Sequence, residues 1–97
     1  MRMMIHGEMD TATSNHLLAT GKVPELMGRI MGALKPEAAY FYPFGGRRAF
    51  TLVCDLDQES NLVALVEPFW TELGADVTVT PCMTAEELQA GLSQLPG

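Results

Sequence analysis

Residues Ala38–Asp55, AAYFYPFGGRRAFTLVCD, decide the fold of this chain. Two runs of alternating apolar and polar residues flank Gly45 and Gly46. A two-residue glycine connection is typical of a tight β-hairpin, because glycine accepts a positive φ at both turn positions. This turn predicts the register of the two strands, with Phe41 directly opposite Phe50. One face of the hairpin is then fully apolar.

The other face of the predicted hairpin is only half apolar. It carries Tyr40, Tyr42, Thr51 and Val53, because successive side chains of a strand point to opposite faces. The register places Tyr40 opposite Thr51. Such a face is left to solvent, covered by a partner chain, or used to hold a ligand.

Length and composition predict that residues 1–97 form one small domain. Hydrophobic residues make up 47% of the chain and charged residues 19%, which is typical of a globular protein. A domain of this size buries a limited share of its surface, so a homodimer would add burial. The formal net charge of −6 repels phosphate backbones and disfavours nucleic-acid binding; its simplest role is solubility.

The sequence predicts a cytoplasmic protein that neither crosses nor binds a membrane. The first ten residues, MRMMIHGEMD, contain acids and no sustained apolar segment, unlike a secretory signal. No run of about eighteen apolar residues occurs anywhere in the chain. Cys54 and Cys82 are not spaced as a redox or zinc motif, so we expect two reduced thiols.

Hydrophobic periodicity predicts strands and helices in the order βαββαβ, with a further helix at the C-terminus. A first strand covers Met3–Met9. A short helix then starts with Thr13 or Ser14 as N-cap and is interrupted near Gly21, and a longer helix follows from Pro24 to Leu34.

After the hairpin, a helix is predicted at about Ser60–Leu73, although Pro68 should kink or end it. A last strand covers Asp76–Pro81. Thr84 and Glu87 then form a capping box before the C-terminal helix. This order predicts an α+β, ferredoxin-like sandwich with helices on one face of an antiparallel sheet.

Four strands sort their side chains in the same way. The apolar set suited to the helices is Met3, Ile5, Ala39, Phe41, Phe50, Leu52, Val77 and Val79, and Cys54 belongs with it. The mixed set on the opposite face is Met4, His6, Glu8, Tyr40, Tyr42, Thr51, Val53, Thr78 and Thr80. The second set predicts the location of a functional site.

The chain resembles a group of small bacterial proteins and, more widely, the dimeric α+β-barrel superfamily. The matching stretches are LKPEAAYF (Leu34–Phe41), Gly46-Arg47 with Asp55, LVEPFW (Leu65–Trp70), PCMTAEEL (Pro81–Leu88) and the initial MRMM. The resemblance implies two ferredoxin-like subunits that pack their open sheet faces around a cavity. The superfamily includes isomerases, cofactor-free monooxygenases, haem-degrading enzymes and stress-response proteins, so the fold alone selects no activity.

His6 is the candidate catalytic residue, as a general base, because imidazole is the side-chain type best suited to proton transfer near neutral pH. Glu8 lies two residues further along the strand, on the same face and about 7 Å away. A metal site would need further ligands, and only His16 or a distant acid is available, so no metal is predicted. The simpler alternative is a histidine that forms a hydrogen bond across a dimer interface.

Candidate ligand-binding residues surround His6 on the mixed face. Tyr40 and Tyr42, with Trp70, supply aromatic surface and hydroxyl groups, or else are ordinary interface residues. The remaining candidates are Arg47 as an anchor for an anion, Thr51 and Thr78. For Arg47, a solvated turn residue is the simpler alternative.

Two functions therefore fit the sequence. The first is a small-molecule binding protein or a cofactor-free enzyme, isomerase-like or monooxygenase-like, that acts on an apolar or aromatic compound in a semi-polar cavity on the open sheet face. The second is a non-catalytic dimerisation or regulatory module. No cofactor is predicted for either, and the sequence does not determine whether the protein is an enzyme.

Overall fold

A four-stranded antiparallel sheet and the helices packed on one side of it form the two layers of the computed structural model, which describes residues 1–97. The elements are β1 (Arg2–Met9), α1 (Thr11–Ala19), α2 (Val23–Leu34), β2 (Ala38–Phe44), β3 (Arg47–Asp55), α3 (Asn61–Leu73), β4 (Ala75–Pro81) and α4 (Ala85–Leu92). The fold is α+β, and it is compatible with a ferredoxin-like arrangement.

The sheet has the strand order β2-β3-β1-β4, and every neighbouring pair is antiparallel. The predicted hairpin register is confirmed, with Phe41 opposite Phe50 and Tyr40 opposite Thr51. Gly45 and Gly46 adopt φ values of 59° and 79°, which only glycine adopts without strain. The two glycines therefore fix the register of β2 against β3.

The predicted sorting of side chains between the two sheet faces is also confirmed. We call the helix-packed side the covered face; its residues Met3, Ile5, Phe50, Leu52 and Cys54 are buried with residues of α2 and α3 in one apolar cluster. We call the other side the open face; it carries Met4, His6, Glu8, Tyr40, Tyr42, Phe44, Thr51, Val53, Thr78 and Thr80.

Phe41 is a partial exception to this sorting. It lies on the covered face, as predicted, but its side chain is 57% exposed. The reason is that β2 is an edge strand of the sheet, and the helices leave its outer part uncovered.

The N-cap of α1 differs from the prediction. Asp10, not Thr13 or Ser14, caps the helix, and its carboxylate accepts hydrogen bonds from the Thr13 N–H (2.9 Å) and the Thr13 hydroxyl (2.8 Å). These bonds favour the charged form, so they lower the pKa of Asp10. Ser14 instead lies inside the first turns and is buried.

The interruption and the restart of the first helical segment are confirmed. α1 ends at Ala19, Gly21 has a φ of 71°, and α2 begins at Val23 with Pro24 in its first turn. Leu26 and Ile30 of α2 are buried against the sheet.

The sequence predicts that Pro68 kinks or ends the third helix, but the helix does not end there. α3 continues through Pro68 and stops at Gly74, which has a φ of 57°. Phe69 and Leu73 follow the proline and are both 2% exposed. Their burial stabilises the last turns of the helix despite the backbone hydrogen bond that proline cannot donate.

The C-terminal helix α4 has the predicted capping box between Thr84 and Glu87. None of its residues is buried, and Leu88 and Leu92 are 47% and 48% exposed. An ion pair between Arg2 of β1 and Glu87 joins it to the sheet. Its apolar stripe therefore has no partner within this chain.

Candidate functional site

The open face carries a cluster of polar side chains that contact one another. His6 lies at its centre and makes a 2.8 Å hydrogen bond between Nδ1 and the hydroxyl of Tyr42. The same hydroxyl is hydrogen-bonded to the hydroxyl of Thr51, and Thr51 Oγ1 is also 3.4 Å from His6 Nδ1. On the other side of the ring, His6 Nε2 is 3.4 Å from Glu8 Oε2.

Strand pairing explains why these four residues meet. β1 lies between β3 and β4 in the sheet, so His6 has Thr51 on one side and Thr78 on the other. Tyr42 belongs to β2, one strand further out, and its long side chain reaches across β3 to the imidazole. Glu8 shares the face of His6 because the two are separated by one residue of the same strand.

The two nitrogens of His6 have different partners, and this sets their roles. A carboxylate at Nε2 favours the tautomer with its proton on that nitrogen. Nδ1 is then an acceptor for the Tyr42 hydroxyl. Tyr42, His6 and Glu8 therefore form a hydrogen-bonded chain from a phenol through an imidazole to a carboxylate, which is suited to moving a proton.

The surroundings of this cluster are aromatic and partly shielded from solvent. The ring of Phe44 contacts His6 edge-on, with centroids 5.0 Å apart and planes at 74°. The side chains of His6 and Glu8 keep 23% and 29% of their surface exposed. The cluster is thus accessible to a ligand, while one side of the imidazole is covered.

Phe44 is the residue of this site that the sequence analysis missed. The signal was present, since Tyr40, Tyr42 and Phe44 alternate along β2 and therefore share a face. Phe44 is the last residue of β2, directly before the turn, where the sequence does not show whether the strand still continues. Phe44 is 52% exposed, so part of its surface is accessible to a ligand or a partner chain.

The other predicted site residues are only partly brought together. Tyr40 and Thr78 lie on the open face beside the cluster, and both are exposed. Arg47 lies on the same face at the hairpin end, where its Nη1 is 3.2 Å from Asp76 Oδ2. Trp70 is on the outer surface of α3, on the opposite side of the sheet from His6, and is 53% exposed.

Neither cysteine joins the cluster. Cys54 is 1% exposed on the covered face, and burial raises the pKa of its thiol. A raised pKa lowers the thiolate fraction, which is the nucleophilic form. Cys82 follows β4 and is half-buried.

No group of three or more histidine, cysteine or acidic side chains is arranged to hold a metal ion. His6 and Glu8 are together, while His16 lies on α1, a separate element. In addition, none of the helices is both long enough and apolar enough to span a bilayer.

In comparisons with known proteins, no family model matches the chain, and no curated protein is significantly similar to it. A function is therefore proposed from the geometry of the open face.

Proposed function

We propose that the protein binds a small apolar or aromatic compound on the open face and acts on it as a cofactor-free enzyme that transfers a proton. The observation that carries this proposal is the hydrogen-bonded chain Tyr42–His6–Glu8. The side chains of His6 and Glu8 are partly exposed and could bond to water, yet they bond to each other and to Tyr42.

A carbonyl-bearing ligand fits the cluster chemically. If its carbonyl oxygen accepts a hydrogen bond from the Tyr42 hydroxyl, Nδ1 of His6 loses that hydrogen bond. Nδ1 can then take a proton from the carbon next to the carbonyl. The C–H electron pair then forms an enolate, which the Tyr42 hydroxyl stabilises, and Glu8 stabilises the imidazolium. In a β,γ-unsaturated carbonyl compound the charge extends over the C=C bond as a dienolate. Return of the proton to the γ-carbon then completes an isomerisation, with no oxidant or reductant required.

An open sheet face does not exclude water, so we further propose that two copies pack these faces together. This would be a homodimer of the ferredoxin-like, dimeric α+β-barrel type. The support is the exposed apolar surface around the cluster, with Met4 40%, Phe44 52% and Tyr40 65% exposed. In such a dimer Arg47 and Thr78 would border the enclosed cavity.

The two tyrosines of β2 provide a matched test. Tyr42→Phe removes the hydroxyl that is bonded to His6, whereas Tyr40→Phe removes a hydroxyl on the same face that makes no hydrogen bond within the chain. The probe is 2-tetralone, an apolar ketone with a fused aromatic ring, and the measurement is deuterium exchange at its α-carbons by proton NMR. We expect the wild-type protein and Tyr40→Phe to accelerate exchange equally.

We expect His6→Ala to lower the rate acceleration by the protein at least about 100-fold, as for the loss of a general base. Tyr42→Phe should also reduce it, with the melting temperatures of all variants compared as a control for folding. Exchange that is no faster with the wild-type protein than with His6→Ala would contradict the proton-transfer proposal.

The alternative proposal is a non-catalytic dimerisation or regulatory module. The exposed apolar stripe of α4, with Leu88 and Leu92, favours it because such a stripe serves association without needing chemistry. Under this alternative, Leu92→Asp raises the dimer dissociation constant measured by analytical ultracentrifugation, and the wild-type protein does not accelerate deuterium exchange in the ketone.

A further inference from the structure

A second candidate site lies on the covered side of the sheet, opposite the His6 cluster. A groove of about 710 Å³ opens between α1, α2 and the β2–β3 hairpin, and we call it the hairpin groove. Its walls include Leu26 and Ile30 of α2 and Phe50 of β3. Pockets that bind small molecules are commonly of this size and mostly apolar.

The mouth of the hairpin groove is also apolar. Leu18 of α1 and Phe41 of β2 both line it, and they are 51% and 57% exposed. Large side chains exposed on facing walls give a ligand apolar surface to cover. The groove therefore favours a ligand with an apolar body.

The charge of the groove is opposite to that of the whole protein. The chain has twelve acidic residues and a net charge of −6, but none of the 20 residues that line the groove is acidic, and none is histidine. The charged residues of the lining are Arg47 and Arg48. The Arg47 side chain is bonded to Asp76 on the open face, so Arg48 supplies the charge on the covered side.

Arg48 has no carboxylate partner. Its Nη1 donates to Ser14 Oγ at 2.7 Å and to Asn15 Oδ1 at 2.9 Å, and both acceptors are neutral. The other three arginines of the chain each pair with at least one carboxylate. A guanidinium has five N–H donors, so Nε and Nη2 of Arg48 are left for an anion.

Hydrogen bonds to α1 hold the Arg48 side chain in position. Ser14, which accepts its hydrogen bond, is 1% exposed, and its own hydroxyl donates to the Thr11 carbonyl oxygen at 3.2 Å. This buried hydroxyl holds the guanidinium against α1, beside the apolar groove. An arginine held in place in this way binds a carboxylate with less loss of side-chain entropy.

We propose that the hairpin groove binds an amphipathic carboxylate, namely a medium-chain fatty acid. Its chain lies between α2 and the sheet, and its carboxylate bonds to Arg48. The groove opens on the other side of the sheet from His6, although Tyr42 both lines the groove and bonds to His6. The proposal does not depend on the proposed enzymatic function.

The helix α4 of the same chain does not reach this groove. α4 follows Pro81, which pairs with Met3 at one end of the sheet, whereas the groove lies at the opposite end, beside Met9 and Tyr42. Only α4 of a second copy could enter it, and its first turn carries Glu86 and Glu87. That occupant is a distinct outcome of the test below.

Calorimetric titration of the full chain with decanoate, below its micelle concentration, tests the proposal. We expect saturable binding of one decanoate per chain. Arg48→Gln should weaken it at least about tenfold, because a charge-assisted hydrogen bond is lost. Binding of decan-1-ol, which has the same chain without the charge, should change less than twofold.

The matched control is Arg29→Gln, because Arg29 lies on α2 but is exposed and paired with Glu72 outside the groove. It should leave decanoate binding unchanged, as should His6→Ala. Val23→Trp, which fills the groove wall, should abolish binding of both compounds. Melting temperatures of all variants show whether each one is folded, and Arg48→Lys tests Arg48 with the charge retained.

Three results would overturn the proposal. One is the absence of decanoate binding to the wild-type protein. Another is equal weakening by Arg48→Gln and Arg29→Gln, which would indicate unspecific attraction to cations. The third is a dimer that decanoate does not dissociate but that the variant Leu92→Asp converts to monomers. If the groove is accessible in those monomers, its occupant is a second copy of the chain.

Discussion

The two faces of the sheet differ in the burial and in the contacts of their side chains. On the covered face, Ile5 and Leu52 are 0% and 1% exposed and pack only among apolar residues. On the open face, His6 and Glu8 are partly exposed and bond to each other and to Tyr42. Burial of apolar surface explains the positions of Ile5 and Leu52. The open face instead holds a connected set of polar contacts between partly exposed side chains, and for this reason an activity is proposed there.

The largest effect should come from truncating the covered face. Phe69→Ala removes a ring that is 2% exposed and lies 5.0 Å, between centroids, from Phe50. We expect a loss of about 3–5 kcal/mol in the free energy of unfolding, measured by urea denaturation. Tyr40→Ala on the open face should cost no more than about 0.5 kcal/mol. Comparable losses for the two variants would remove the distinction between the faces.

A smaller loss should follow from adding one methyl group to the covered face. In Gly7→Ala, the new Cβ would lie 2.2 Å from Cζ of Phe50, whose ring is backed by Phe69 and cannot retreat freely. We expect a cost of about 1–3 kcal/mol from overpacking, measured in the same way.

Gly28→Ala is the matched control for this substitution. Nothing lies within 4 Å of the added Cβ on α2, so the change should stabilise the protein by up to about 1 kcal/mol, because alanine favours a helix over glycine. Phe50→Leu should also relieve part of the Gly7→Ala cost when the two are combined. If Gly7→Ala is as stable as the wild-type protein, the ring of Phe50 does not pack against Gly7 of β1 as described.

The smallest effect, with no change in stability, concerns the two thiols. Cys54 is buried on the covered face, and burial raises the pKa of its thiol, so its thiolate fraction at pH 8 is low. Cys82 is half-buried beyond the end of β4. We expect Ellman's reagent to modify one thiol quickly in the native protein, and both in urea.

The variant Cys82→Ser identifies the fast thiol in this experiment and should abolish the fast phase. A fast phase that survives in Cys82→Ser would show that Cys54 is reached by solvent, and that the covered face opens readily.

Much of the fold could be predicted from local sequence, but not all of the helix boundaries. The hairpin register followed from Gly45 and Gly46, and the capping box from Thr84 and Glu87. The N-cap at Asp10 was missed because several polar residues near it could serve, and only the path of the chain leaving β1 selects one. Pro68 was expected to disturb α3 because a sequence shows the missing hydrogen bond but not the burial that offsets it.

The candidate site was predicted in part for a similar reason. Alternation along the strands placed His6, Tyr42 and Thr51 on one face, and the structure brings these three together. Trp70 was predicted to join them only because it is aromatic, although α3 lies on the other side of the sheet.

By itself, then, the sequence determined which side chains share a face, because the two-residue period of a strand is set by covalent geometry and needs no knowledge of the neighbours. Only the tertiary structure decided which of those side chains touch. The hydrogen bond between His6 and Tyr42 requires β3 to lie between their strands, and the groove beside Arg48 depends on the distance of α1 and α2 from the hairpin. Such distances between elements arise from the packing of the whole chain, which no local pattern encodes.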